Sequence, residues 1–103
     1  MRKVQLDKER PIKIRFGVLE NFQEETGVKA MSFDARDAKQ LRIMTWLALN
    51  CADPETDLTK EKFDECMHYG VINVIMDEFL VATLGEKEAD RIKNLVEEEA
   101  TGE

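Results

Sequence analysis

Between positions 41 and 51 the side chains of Leu41, Ile43, Met44, Trp46, Leu47, Ala48, Leu49 and Cys51 cover far more of a helix than one surface stripe. A helix this apolar around its circumference has to be enclosed by other elements, so it is expected to be the buried centre of the fold. Asp34, or Ser32 if the helix begins earlier, is the expected N-cap, and the helix should run to about Ala52. Asn50 is one place for it to end. Asp53-Pro54 is the firm stop, because the residue before a proline disfavours helical angles.

The remaining segments supply the enclosure. Val4 and Leu6 alternate with polar residues, as do Ile12, Ile14 and Phe16, with the polar residues 7–10 between them. This pattern predicts a β-hairpin, with Pro11 tolerated as the first residue of the second strand. A lone hairpin is marginal in water, so its apolar face is expected to lie on helices. Val18, Leu19, Phe22 and Thr26 recur at helical spacing and lead to Gly27, placed for a left-handed helix end with Val28 packing back on Phe22. Thr59 is the expected N-cap of a helix reaching about Tyr69, with Leu58 and Phe63 positioned as a hydrophobic staple. A strongly apolar helix over residues 71–84 should end at Gly85, and a last helix over residues 86–100 carries the thin stripe Ala89, Ile92, Leu95 and Val96. The expected class is α+β, mostly α: an N-terminal hairpin on about five helices, as one domain over residues 1–100 with a frayed tail at 101–103.

With 103 residues and about a quarter of them Leu, Ile, Val or Phe, the chain can bury one core. Its net charge of −7 is unevenly placed: residues 1–15 sum to +4 and residues 16–103 to −11. An acidic body excludes general nucleic-acid binding, which depends on cations that neutralise phosphates. The short basic start reads instead as a solvated hairpin able to meet an acidic surface of another subunit. No apolar run is long enough to span a bilayer, so no membrane role is expected. The sparse cysteines and the absence of a signal-peptide pattern point to a reducing cytoplasm.

Residues with chemical potential form no constellation. Asp53, Glu55 and Asp57 occupy positions 1, 3 and 5 of a calcium-type loop, but the required glycine is replaced by Leu58 and the bidentate glutamate by Asp64. They read as an acidic turn ahead of the Thr59 cap. Cys66 and His68 are two apart on the expected helix, which sends them to different faces and disfavours both a metal site and a Cys-His nucleophile. The glycines at 17, 27, 70, 85 and 102 are scattered and build no phosphate loop. No catalytic, cofactor or metal residue is assigned, and no enzyme is expected. Trp46, Ile75, Phe79, Ile92, Leu95 and Val96 are the candidates for contact with another protein, although a Trp in the most apolar helix is more often core. Two very apolar helices in so small a domain leave apolar surface to be covered, and self-association is the simple remedy.

The hairpin, the LENFQEETG helix, the SFDARDAKQLRIMTWLALNCADPE segment and the TKEKFDECMHYGVINVIMDEFLVATL pair resemble, over residues 4–84, the tail assembly chaperones of long-tailed phages and prophages. The resemblance rests on Glu25-Thr26-Gly27 closing the first helix, Trp46-Leu47-Ala48-Leu49 at the centre of the next, and the acidic turn Asp53-Pro54-Glu55. It implies a non-enzymatic protein of the host bacterial cytoplasm that binds the tape measure protein, recruits tail tube subunits and self-associates. Many members of that family are made in two lengths, the longer by frameshifting, and a 103-residue chain ending in a charged segment would fit the shorter. The alternative expectation is a small acidic helical adaptor or regulator, antitoxin-like or a nucleic-acid mimic, which would need its carboxylates arrayed along one face.

Overall fold

The computed structural model describes residues 2–101, the side chains of Lys93 and of residues 96–101 excepted. The wide apolar segment forms the helix α2, Ala38–Ala52, and its residues Leu41, Met44, Ala48 and Leu49 are completely or almost completely buried. Around it lie the antiparallel strands β1, Lys3–Gln5, and β2, Glu9–Pro11, and the helices α1, Phe16–Thr26, α3, Lys60–Cys66, α4, Ile72–Leu84, and α5, Glu86–Thr101. Single 3-10 turns occur at Ala30–Ser32 and Tyr69–Val71. The fold is therefore α+β and mostly α, with a hairpin and five helices among the described residues. The expected tail at residues 102 and 103 lies outside them.

The hairpin differs in register from its expected form. Lys3 pairs with Pro11, Val4 with Arg10 and Gln5 with Glu9, so Pro11 ends the second strand instead of starting it. Beyond Pro11 the chain stays extended, with Ile12 and Ile14 buried, but it has no third strand to pair with. The Ile12 N–H still donates to the Arg2 carbonyl at 3.0 Å, and the next two amides are taken up by helices. The Lys13 N–H donates to the Ala48 carbonyl of α2 at 3.1 Å, and the Ile14 N–H reaches a carboxylate oxygen of Glu78 on α4 at 3.4 Å. Ala48 has only a methyl side chain, which lets the extended backbone approach α2 closely enough to bond. Glu78, itself buried, also accepts from the Arg2 guanidinium at 2.8 Å, so one carboxylate fastens both the start of the hairpin and its continuation.

Arg10 was expected among solvated residues, yet it is buried, on the same face of the hairpin as Val4 opposite it. Its planar fork binds Asp7 bidentately, at 2.9 and 2.7 Å, and Asp57 at 2.6 Å. Such charge-assisted pairs keep a buried guanidinium satisfied. Hydrogen bonding to Arg10 draws the Asp7 carboxyl from 3.8 down to about 2, and the same guanidinium lowers Asp57. The basic hairpin thus commits two of its three arginines to its own chain, where the sequence reading had an acidic surface of another subunit in view.

Helix ends follow local chemistry. Gly27 is left-handed at φ 72° and closes α1, and Gly85 at φ 84° separates α4 from α5. Thr59 caps α3 by accepting the Lys62 N–H, with Leu58 and Phe63 both buried beside it. Neither Ser32 nor Asp34 caps α2. The cap is Asp37, whose carboxylate accepts the Gln40 N–H at 3.0 Å. Asp34 instead accepts the Arg36 N–H, and the Gln40 side chain reaches back to the Asp34 N–H. The segment before α2 is pinned by Phe33, whose ring lies 5.4 Å from Phe22 of α1 and 5.2 Å from Phe79 of α4. Asn50 does not end α2; its side chain donates to the Trp46 carbonyl and the helix continues to Ala52.

Replacing Ala48 by Leu should lower stability by about 1–3 kcal/mol in urea denaturation, because the added atoms occupy the space of the extended segment; a stability equal to the parent's would show that the approach does not need a small residue. Asp7 is a depressed carboxylate, so its stabilisation is complete above pH 3.8 and is lost as the pH falls through about 2. The thermal midpoint of Asp7→Asn should accordingly start lower at neutral pH and fall less steeply across that acid window than the parent's, which differential scanning calorimetry will read.

Candidate protein-interaction surfaces

The six residues expected to contact a partner do not share one surface. Ile75 has no exposed area and Phe79 is 7% exposed, both held in the core. These two side chains pack inward rather than presenting a contact surface, Phe79 with its ring 5.2 Å from that of Phe33. Trp46 is half-buried, its ring 5.0 Å from that of Phe63, and it lines a small depression with Glu25, Arg42, Ile43, Lys60 and Asp64. It serves core and surface together. On α5, Ile92 is half-buried and Leu95 is 50% exposed, whereas the Val96 side chain lies outside the described residues.

The most exposed large apolar side chains are ones the sequence reading did not single out. Phe16 is 71% and Met31 73% exposed, and both border a depression of about 180 Å³ with Leu19, Glu20, Gln23, Ala30 and Thr83. Leu84, one residue beyond Thr83, is also exposed. Phe16 was read as the last inward position of the Ile12, Ile14 alternation. In the structure it is the first residue of α1, where the change from extended to helical backbone ends the alternation. Three elements therefore meet at an apolar rim: the start of α1, the turn Ala30–Ser32 and the end of α4.

A second groove, of about 250 Å³, runs beside the first turns of α2. Ala38, Leu41, Met67 and Tyr69 give it an apolar lining, and Arg42, Asp64 and His68 add polar groups. Tyr69 is more than half exposed, with its hydroxyl reaching the Arg36 carbonyl.

The residues weighed for chemistry have structural partners. His68 is not on a helix with Cys66, since α3 ends at Cys66. Its Nδ1 accepts the Gly70 N–H at 3.0 Å, which leaves the proton on Nε2 to be donated to the Gln5 carbonyl at 2.7 Å. The ring thereby ties the β1 end of the hairpin to the α3–α4 junction. Cys51 and Cys66 are free and half-buried, and the Cys66 thiol points to the Phe63 carbonyl. Asp57 of the acidic turn pairs with Arg10.

No described helix is long and apolar enough to cross a membrane. Comparison with family models, with curated proteins and with solved structures finds no match to this chain.

A methyl group added at Gly70 would sit 2.7 Å from Nδ1 and 2.8 Å from Cε1 of His68. Gly70→Ala should lower the thermal midpoint by displacing the ring, and should cost less in a His68→Ala background, with a coupling of about 0.5–3 kcal/mol in a double-mutant cycle. Strict additivity would mean that the ring and the glycine act separately.

Proposed function

We propose that this protein is a non-enzymatic tail assembly chaperone of a long-tailed phage or prophage. In this reading it works in the host bacterial cytoplasm, binds the tape measure protein, recruits tail tube subunits during tail morphogenesis and associates with further copies of itself. The observation that carries the reading is the apolar rim of Phe16 and Met31 on a domain whose residues 16–103 sum to −11.

The physical logic is that of a holder. Exposed apolar side chains around a depression offer dispersion and desolvation to the apolar stripe of a client helix, while the surrounding negative charge keeps the complex dispersed. A long helical client synthesised ahead of its tail tube has such stripes to cover. The resemblance over residues 4–84 supplies the identity of the client, and the hairpin-plus-five-helix architecture agrees with the element order on which that resemblance rests.

Phe16 and Met31 are so exposed that Phe16→Glu and Met31→Glu should leave the thermal midpoint close to the parent's. The doubly substituted chain should fail to keep a co-expressed tape measure protein soluble and should lose it in a pull-down. If the parent chain binds neither the tape measure protein nor the tail tube subunit at micromolar concentration, the proposal fails.

A further inference from the structure

Among the described methionines, Met31 differs in where its sulfur stands. Met44 has no exposed area, and Met67 and Met76 are half-buried against the core, whereas Met31 is 73% exposed. The turn that carries it is fastened on both sides. The Ala30 N–H donates to the side-chain carbonyl of Gln23 at 2.8 Å, the Ser32 N–H to the Lys29 carbonyl at 2.8 Å and the Phe33 N–H to the Ala30 carbonyl at 3.0 Å. Ala30 is buried, and the Phe33 ring packs against Phe22 of α1 and Phe79 of α4. None of these fastenings uses the Met31 side chain, which is left to border the depression with Phe16, Leu19 and Thr83.

A thioether at that rim combines two properties. Its flexible, polarizable chain adapts to irregular apolar partners, and its sulfur is open to oxidation by peroxides, which leave Phe16, Leu19 and Ala30 untouched. In that reaction a sulfur lone pair forms an S–O bond with one peroxide oxygen as the O–O bond breaks. A proton passes from the delivered oxygen to the departing one, and hydrogen peroxide leaves as water. The sulfur loses two electrons and the peroxide gains them. The product carries a polar oxygen in place of apolar surface. Solvent satisfies that oxygen while the rim is open, but an apolar client helix lying on the rim buries it without a donor.

We propose that Met31 is a reversible oxidation site at which hydrogen peroxide withdraws the Phe16 and Met31 rim from apolar partners. The inference rests on the chaperone reading for the identity of the client, and on exposure and packing for the site itself. Because the turn is held without the Met31 side chain, the oxidised chain keeps its fold. Reduction restores the rim: two thiols join as a disulfide, the sulfoxide oxygen leaves as water, and the thioether returns.

The test treats the full chain with hydrogen peroxide, removes the excess with catalase before any client is added, and follows each methionine by peptide mass mapping. Met31 should gain one oxygen about tenfold faster than Met44, Met67 and Met76, with the circular-dichroism spectrum and thermal midpoint unchanged. Retention on a phenyl matrix, which reads the rim without a client, should fall as Met31 is oxidised, and binding of the tape measure protein should weaken about tenfold. Methionine sulfoxide reductases for both sulfoxide epimers, supplied with a dithiol, should reverse both changes. Met31→Leu, whatever its own affinity, should give the same retention and binding before and after peroxide. That chain keeps Cys51 and Cys66, so an effect of peroxide on either thiol would appear in it as well. Faster oxidation at Met44, Met67 or Met76, a melt that falls as Met31 is oxidised, or retention or client binding that survives complete Met31 oxidation would overturn the inference. An untreated chain that does not bind the client would count against the chaperone reading alone, with the mass map and the phenyl matrix still deciding for or against the oxidation site.

Discussion

The extended segment that follows the hairpin bonds once to its start, Ile12 N–H to the Arg2 carbonyl, and after that has backbone amides to satisfy and no strand to satisfy them. In most small domains a buried extended chain belongs to a sheet, because an unpaired buried amide costs free energy comparable to a lost hydrogen bond. Here α2 offers the Ala48 carbonyl and α4 offers the Glu78 carboxylate, and the segment lies between them. Much of the rest follows from that arrangement. The hairpin is fixed on the bundle by its own continuation, Arg2 joins the same carboxylate, and the two most apolar helices are held in relation to one another by a strip of chain bonded to both.

A second fastening works through Arg10. The guanidinium draws the hairpin turn and the acidic turn before α3 to one point, with His68 adding a third tie from the α3–α4 junction to the end of β1. These are polar contacts across long sequence separations, and they let a two-stranded ribbon that would be marginal alone stand as part of the fold. The acidic composition is thereby partly structural. Asp7, Asp57 and Glu78 are each paired with an arginine of the same chain, Asp57 while staying largely exposed.

The helical part of the fold was legible because its signals are local. The 41–51 pattern, the glycines at 27 and 85, and the Thr59 cap with its Leu58 and Phe63 staple each act within a turn or two, and all reappear in the structure. Asp37 could have been read as the α2 cap from its spacing to Gln40, but Asp34 offers a similar pattern and only the packing of Phe33 decides between them. The hairpin register was misread because Arg10 is charged. Its parity with Ile12 and Ile14 places it inward all the same, and what makes that position tolerable for a cation is Asp57, forty-seven residues away. The interaction surfaces were least legible. Exposure of Phe16 and Met31, or burial of Ile75 and Phe79, depends on which elements cover which, and periodicity gives the apolar face of a helix without naming its neighbour.

The reach of Glu78 also bears on when this chain can fold. It bonds to Arg2 across a separation of 76 residues and to Ile14 across 64. During synthesis from the N-terminus the hairpin emerges early, but the carboxylate that bonds its start and its continuation is supplied only when α4 follows. Until then the segment through Ile14 has no partner on that side, and its closure carries the loop entropy of a nearly complete domain. The nascent domain is therefore expected to remain open on that side until α4 has been made.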